Sequence, residues 1–112
     1  MGHYFTNEDL KSNIVKFNVG FNGYMFTFNT DNGVFSKAEL DFGTYLLIKN
    51  ILKKNISGNI LDLGCGYGPI GIIVGKIFNV NTTMVDVNRR AIHLTKMNSK
   101  ENKFNVNALV SD

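Results

Sequence analysis

Asp62, Gly64, Gly66, Gly68 and Gly71 crowd into the stretch Leu61-Asp62-Leu63-Gly64-Cys65-Gly66-Tyr67-Gly68-Pro69-Ile70-Gly71. Glycines at that density let a ligand touch the backbone. Two ligands suit such a loop. A dinucleotide would set its pyrophosphate at a helix N-terminus, and Gly66-x-Gly68-x-x-Gly71, with Asp86 further on, has the spacing of that fingerprint. Against it, Asp62 beside the loop would repel a pyrophosphate, and Gly64-Cys65 separate the fingerprint from its strand. S-adenosylmethionine carries an ammonium and a sulfonium and no phosphate. Asp62 could take the ammonium directly or through water. Gly64 and Gly66 would let the methionine portion and ribose lie on the backbone. Asp86 would accept from ribose hydroxyls, and Asp112 from the adenine amino group. One acid per strand end suits a cationic, hydroxylated, amino-bearing ligand, so these residues favour the methyl donor. Each also has a plainer use: Asp86 as a helix cap, Asp112 as a frayed end. Cys65 reads as a small loop residue whose backbone matters, and neither His3 nor His93 has an evident partner.

Those acids need strands that end side by side. Asn59–Leu63 reads as a short apolar strand. Pro69–Phe78 reads as a helix, with Ile70, Ile73, Val74 and Ile77 on one face and Pro69 in its first turn. Asn81–Asp86 is a second strand, Asn88 caps a helix over about Arg89–Glu101, and Phe104–Val110 is a third strand. A βαβαβ unit over 59–112 implies parallel strands and right-handed crossovers. Upstream, residues 14–30 predict a β-hairpin turning at Asn22-Gly23. Its register pairs Phe21 with Tyr24, Val19 with Phe26 and Phe17 with Phe28. All six then share one face, with Lys16, Asn18, Thr27 and Asn29 on the other. Asp31-Asn32-Gly33 is a turn. A helix follows from about Phe42 to Lys54, with Leu47, Ile48, Ile51 and Leu52 on one face.

The chain has 112 residues, 44% hydrophobic and 19% charged, which fits one domain with a core and excludes global disorder. Cys65 is the only cysteine, so no internal disulfide framework or cysteine-based metal cluster is expected. No apolar run is long enough to span a bilayer and the N-terminus does not read as a signal peptide, so a cytoplasmic location is expected. The net charge of +3 tolerates a nucleic-acid partner without demanding one. Lys49, Lys53 and Lys54 are ordinary for a helix exterior. Arg89 and Arg90, in a helix's first turn, oppose its dipole at about 0.3–1 kcal/mol each. Two readings stand for them: they serve an RNA phosphate, or, the reading favoured here, Asp86 nearby offsets them.

Ile60-Leu61-Asp62-Leu63-Gly64-Cys65-Gly66-Tyr67-Gly68 resembles the first motif of class I SAM-dependent methyltransferases. Gly33-Val34-Phe35-Ser36, followed by Leu40-Asp41-Phe42-Gly43-Thr44 and Leu46-Leu47, resembles the segment that opens the methyltransferase small family. That family includes small-subunit ribosomal-RNA guanine-N2 methyltransferases. Val85-Asp86-Val87-Asn88 and Ser111-Asp112 are similar to its later motifs, and the resemblance runs from Tyr4 onward. It implies an α/β, Rossmann-like class I fold. Residues 1–112 would be a single incomplete domain, truncated after the third parallel strand and preceded by the hairpin, with 59–112 its SAM-binding half. It also implies a cofactor, S-adenosyl-L-methionine, and an RNA partner, without metal or membrane. Asp62, Gly64, Gly66 and Gly68, with Cys65 between them, would line the methionine and ribose. Asp86 and Val87 would meet the ribose and adenine, and Asp112 the adenine amino group. Phe35 and Thr44 would lie near the sulfonium.

In that family the fourth strand ends in Asn-Pro-Pro, which grips the target amino group. None occurs here, and Pro69 is the only proline. The expectation is an N-terminal fragment or truncated product that holds the donor but transfers methyl poorly or not at all. The alternatives are a non-catalytic SAM- or partner-binding truncated protein and, further off, a dinucleotide-binding oxidoreductase domain. Truncation there would leave the first parallel strand as an open edge, which favours self-association.

Overall fold

Asn22 and Gly23 both take positive φ, 50° and 82°. That is the backbone of a type I′ turn, whose twist matches the strands it joins. The turn links β1 (Ile14–Phe21) to β2 (Tyr24–Asp31) in the computed structural model, which describes residues 13–31 and 39–111. The strands pair antiparallel in the expected register, Phe21 opposite Tyr24, Val19 opposite Phe26 and Phe17 opposite Phe28. After them come α1 (Phe42–Ile51), β3 (Asn59–Leu63), α2 (Pro69–Phe78), β4 (Asn81–Asp86), α3 (Arg89–Glu101) and β5 (Asn107–Val110). The expected turn at Asp31-Asn32-Gly33 lies mostly outside the described residues; Asp31 itself closes β2.

β3, β4 and β5 form a parallel sheet in that order. The fold is α/β and Rossmann-like. Thr82, Met84 and Ala108 are buried on the face that α2 and α3 pack against. On the opposite face Leu61, Leu63 and Leu109 are 59%, 72% and 57% exposed, so that face is bare among the described residues. Among the described residues β3 pairs only with β4 and is an edge strand.

The hairpin packs against the helices rather than joining the sheet. Phe26 and Phe28 enter one core cluster with Ile48, Ile72, Ile73, Met84 and Ile92, and Tyr67 meets Phe28 edge-on at 6.0 Å. On the hairpin's second face Asn29 is only 1% exposed. The reason is α3, which lies along the free edge of β2. Asn102 Oδ1 accepts from Thr27 N at 2.9 Å, and its Nδ2 donates to Thr27 O at 2.8 Å. Asn98 does the same for Asn29, accepting from N at 2.7 Å and donating to O at 3.0 Å. Two asparagines thus satisfy the strand edge as a neighbouring strand would.

A third tie corrects the expectation for Arg90. Its Nε and Nη2 donate to Asp31 Oδ2 at 2.9 and 2.7 Å, and the two side chains are only 11% and 4% exposed. Arg90 therefore clamps the end of β2 instead of facing a phosphate or Asp86.

Two ends also differ from expectation. α1 stops at Ile51 rather than Lys54, because Lys53 N and Lys54 N donate to carbonyls three residues back, Asn50 O and Ile51 O, and the last turn tightens. On the expected apolar face Ile48 is buried, but Leu47 is exposed. β5 starts at Asn107 rather than Phe104. Lys103 (φ 55°) closes α3 in the left-handed region, with Phe104 N donating to Ser99 O and Lys103 N to Lys100 O. This is a Schellman cap, which consumes the residues that would have begun the strand.

Candidate functional site

From Leu63 the chain passes through Gly64, Gly66 and Gly68, with φ of 67°, 60° and 104°, into α2. Left-handed backbone at alternate positions is what requires glycine here. Pro69 then opens α2, where its missing N–H costs nothing. Cys65 N donates to Val85 O at 3.0 Å, fixing the loop to the end of β4.

The loop is held from beneath by α3. Thr95 Oγ1 donates to Gly66 O at 2.9 Å, and Asn98 Nδ2 donates to Tyr67 O at 2.8 Å. Asn98 is wholly buried. Its Oδ1 also accepts from Asn29 Nδ2 at 2.9 Å, so both oxygen lone pairs and both amide hydrogens are used. One side chain therefore joins the hairpin to the glycine loop. Neither Thr95 nor Asn98 was foreseen from the sequence. A signal existed: Thr95, Asn98, Ser99 and Asn102 fall on the same face of α3 as Ala91 and Leu94, which the fold must bury.

Cys65 turns its side chain inward, its Sγ 3.6 Å from Thr95 Oγ1. Burial pushes its thiol up to about 11, so it stays protonated at neutral pH. Only its backbone belongs to the loop's outer surface. Burial also raises the Tyr67 phenol to about 12, with a smaller contribution from the charge of Asp41.

The acids are engaged with the loop. Asp86 Oδ2 accepts from Gly66 N, and its Oδ1 from Asn88 N, both at 2.9 Å. Asp62 Oδ2 accepts from Gly71 N at 3.1 Å, in the first turn of α2, where the N-cap Gly68 has no side chain to serve. Burial raises the Asp62 carboxyl above its ordinary value; the Gly71 bond opposes this, and the charge of Asp86 adds to it. The N–H groups of Gly66 and Gly71, which a pyrophosphate would need, thus already donate to carboxylates of the chain itself. Asp62 Oδ1 has no hydrogen-bond partner among the described residues, and ionised carboxylates keep further lone pairs for a donor. Asp62 also borders an apolar cavity of about 250 Å³ between α1, α2 and β3, lined by Ile51, Ile56, Ile60, Ile70 and Val74.

The glycines, Asp86 and the exposed Val87 therefore meet at the C-terminal ends of β3 and β4. Ser111 N donates to Asp86 O at 2.9 Å and brings the end of β5 alongside. Phe35 and Asp112 lie outside the described residues. Thr44 serves the cap of α1: its N and Oγ1 both donate to Asp41 Oδ2, at 3.0 and 3.1 Å. Among the described residues, no group of three or more His, Cys, Asp or Glu side chains could hold a metal ion. No described helix is long and apolar enough to cross a membrane.

Residues 25–112 match the model of the methyltransferase small domain. YbxB of Bacillus subtilis (strain 168) is 42% identical over 113 residues, covering 98% of this chain and 56% of that protein. Ribosomal RNA small subunit methyltransferase C of Haemophilus influenzae (strain PittEE) is 43% identical over 81 residues, covering 71% of this chain and 24% of that protein. The solved T. thermophilus 16S rRNA N2 G1207 methyltransferase, in complex with AdoMet and guanosine, shares the fold. Its TM-score is 0.77 at 24% identity, over 92% of this chain and 29% of that one. The chain spans about half the length of the first of these relatives and about a quarter of the second.

Proposed function

The chain belongs to the methyltransferase small domain family, and from that premise we propose that its glycine loop holds S-adenosylmethionine for methyl transfer to small-subunit ribosomal RNA. The target we propose is the exocyclic N2 amine of a guanine, and the place of work the cytoplasm. One observation carries the choice of ligand: Asp86 and Asp62 occupy the N–H groups of Gly66 and Gly71. With these two N–H groups already held by carboxylates, the loop disfavours a pyrophosphate and favours an ammonium and ribose hydroxyls. The names of the ribosomal-RNA relatives support the RNA substrate.

In this reading Gly64, Gly66 and Gly68 give the donor a backbone to lie on. Asp62 faces its ammonium directly or through water. Asp86 and Val87 meet the ribose and adenine, Asp112 the adenine amino group, and Phe35 and Thr44 the sulfonium end. The donor supplies a methyl carbon on a sulfonium; the carbon–sulfur bond breaks to a neutral thioether as the carbon–nitrogen bond forms, and the amine's proton passes to water. The chain's own contribution is position: a displacement in line gains most from aligned reactants. The Thr95 and Asn98 bonds keep the loop fixed while this happens. The Asn-Pro-Pro that would aim the amine is not among these residues, so we propose donor binding with little or no transfer by these 112 residues alone. We further propose self-association through the open β3 edge.

Calorimetric titration with S-adenosylmethionine, with NAD as control, tests the ligand. The chain is expected to bind the methyl donor and not NAD. Asp86→Ala is expected to weaken binding by about 1.5–3 kcal/mol, the range for a hydrogen bond to a charged group. NAD retention, or donor binding indifferent to Asp86→Ala, would refute the assignment.

A further inference from the structure

Arg89, His93, Lys96 and Lys100 recur along α3 at intervals of four, three and four residues. At 3.6 residues per turn they fall within about 60° of the helix circumference. All are exposed, as is Lys103 just beyond the helix end. The buried Ala91, Leu94, Thr95 and Asn98 of α3 lie on the opposite side. The outer face of α3 is therefore a continuous basic stripe. None of the side chains of Arg89, Lys96, Lys100 and Lys103 makes an ion pair or hydrogen bond among the described residues. The one acid of the helix, Glu101, faces its flank, where it bonds Lys16 and Asn29.

We infer that this stripe is a docking surface for the phosphate backbone of RNA. Two features favour a partner over mere solvation. Arg89 opposes the helix dipole, and Lys96 and Lys100 stand four residues apart as like charges, so the isolated helix is less stable for carrying them. The C-terminal position of Lys100 and Lys103 suits the dipole, but that does not account for Arg89 or Lys96. The stripe also has a direction. Arg89 is three residues from Asp86, whose carboxylate holds the glycine loop, so a strand laid along α3 reaches the donor site at its upper end. Several cations along one helix face fit a polyanion whose charges repeat along its length, and they position it without reading its bases. The bare sheet face lies on the far side of β4 and β5, so covering that face leaves the stripe free.

The inference rests on the RNA substrate proposed above, and donor binding is measured separately so that the two can fail independently. The test compares the chain with two variants. One carries Arg89→Gln, Lys96→Gln, Lys100→Gln and Lys103→Gln; the other carries Lys49→Gln, Lys53→Gln and Lys54→Gln on and after α1. Each is titrated into a fluorescent RNA stem-loop over a range of salt, and into anionic phospholipid vesicles. The α3 variant is expected to bind RNA about tenfold or more weakly, and the slope of log affinity against log salt to fall by about 3 to 4, roughly one per contact. Its affinity for S-adenosylmethionine should be unchanged, and the α1 variant should bind RNA like the parent. Equal losses in the two variants would reduce the effect to net charge and overturn the inference. So would an unaltered chain that binds no RNA, or a stripe whose removal abolishes vesicle binding and spares RNA. Loss of the donor with RNA binding intact would instead overturn the proposed function and leave the stripe standing.

Discussion

Asp62 is the residue at which stability and binding pull apart. Its carboxyl is raised chiefly by burial, against the bond from Gly71 N. A raised carboxyl means the ionised form is disfavoured in the folded chain. Its charge therefore subtracts stability at neutral pH, and that loss is recovered as pH falls through the folded-state value. Asp62→Asn keeps an oxygen for Gly71 N and removes the charge. The variant is expected to be at least as stable as the parent in urea at pH 7, and to lose the parent's gain in stability on acidification. It is also expected to bind S-adenosylmethionine more weakly, because no anion remains for the ammonium. A variant that is less stable yet binds equally well would make Asp62 a helix cap and nothing more. The parent's affinity should decline on acidification sooner than an ordinary aspartate would predict. Glu101 has the opposite sign. The bonds from Asn29 and Lys16 lower its carboxyl, so its contribution is present above the unfolded value and is lost as pH falls through the lowered one. The glycine positions, Asp62 and Asp86 were legible in the sequence because a motif names residue types. Which way a carboxylate points was not, since Asp62 reaches Gly71 only once α2 is folded beside β3.

At the scale of elements, local chemistry wrote most of the outline. Asn22-Gly23 fixed the hairpin register, and Asn88 caps α3 by accepting from Arg90 N and Ala91 N at 2.8 and 3.2 Å. What periodicity could not reveal was where the hairpin docks. Asn29, Asn98 and Asn102 look like surface residues in a chain rich in asparagine, and become interior only because α3 lies against the edge of β2. Arg90 shows the same limit. Its partner Asp31 is fifty-nine positions away in sequence, beyond the reach of any local pattern. Arg90→Ala leaves a carboxylate that is 4% exposed without its guanidinium. Removing one member of such a pair is expected to cost about 3–5 kcal/mol in chemical denaturation. Arg90→Lys should recover only part of that, since an ammonium cannot reproduce the planar donation of Nε and Nη2. A loss below about 0.5 kcal/mol, the level of an ordinary surface change, would show that the pair does not hold the hairpin.

For the whole molecule, the order β3-β4-β5 matters more than any one contact. Among the described residues it leaves β3 with unpaired backbone on one side, an apolar cavity beside it, and Leu61 and Leu63 on the bare face. Such an edge recruits strands. Sedimentation velocity is expected to show association that grows with concentration, and Leu61→Lys with Leu63→Lys is expected to suppress it without loss of fold. A monomer at every concentration would remove β3 from consideration as a contact surface. The βαβαβ pattern implies parallel strands joined by right-handed crossovers, and the family resemblance implies that the first of them stands at the edge, where β3 lies.

That handedness reaches past the residues described. With α2 and α3 both on one face, the sheet advances from β3 through β4 to β5. A polypeptide that leaves β5 and returns to lie parallel to β3 reverses that direction, and its connection stays right-handed only by passing over the opposite face. The surface formed by Leu61, Leu63 and Leu109 is therefore a path as well as a patch: whatever lengthens this sheet at β3 in that way must first travel across it.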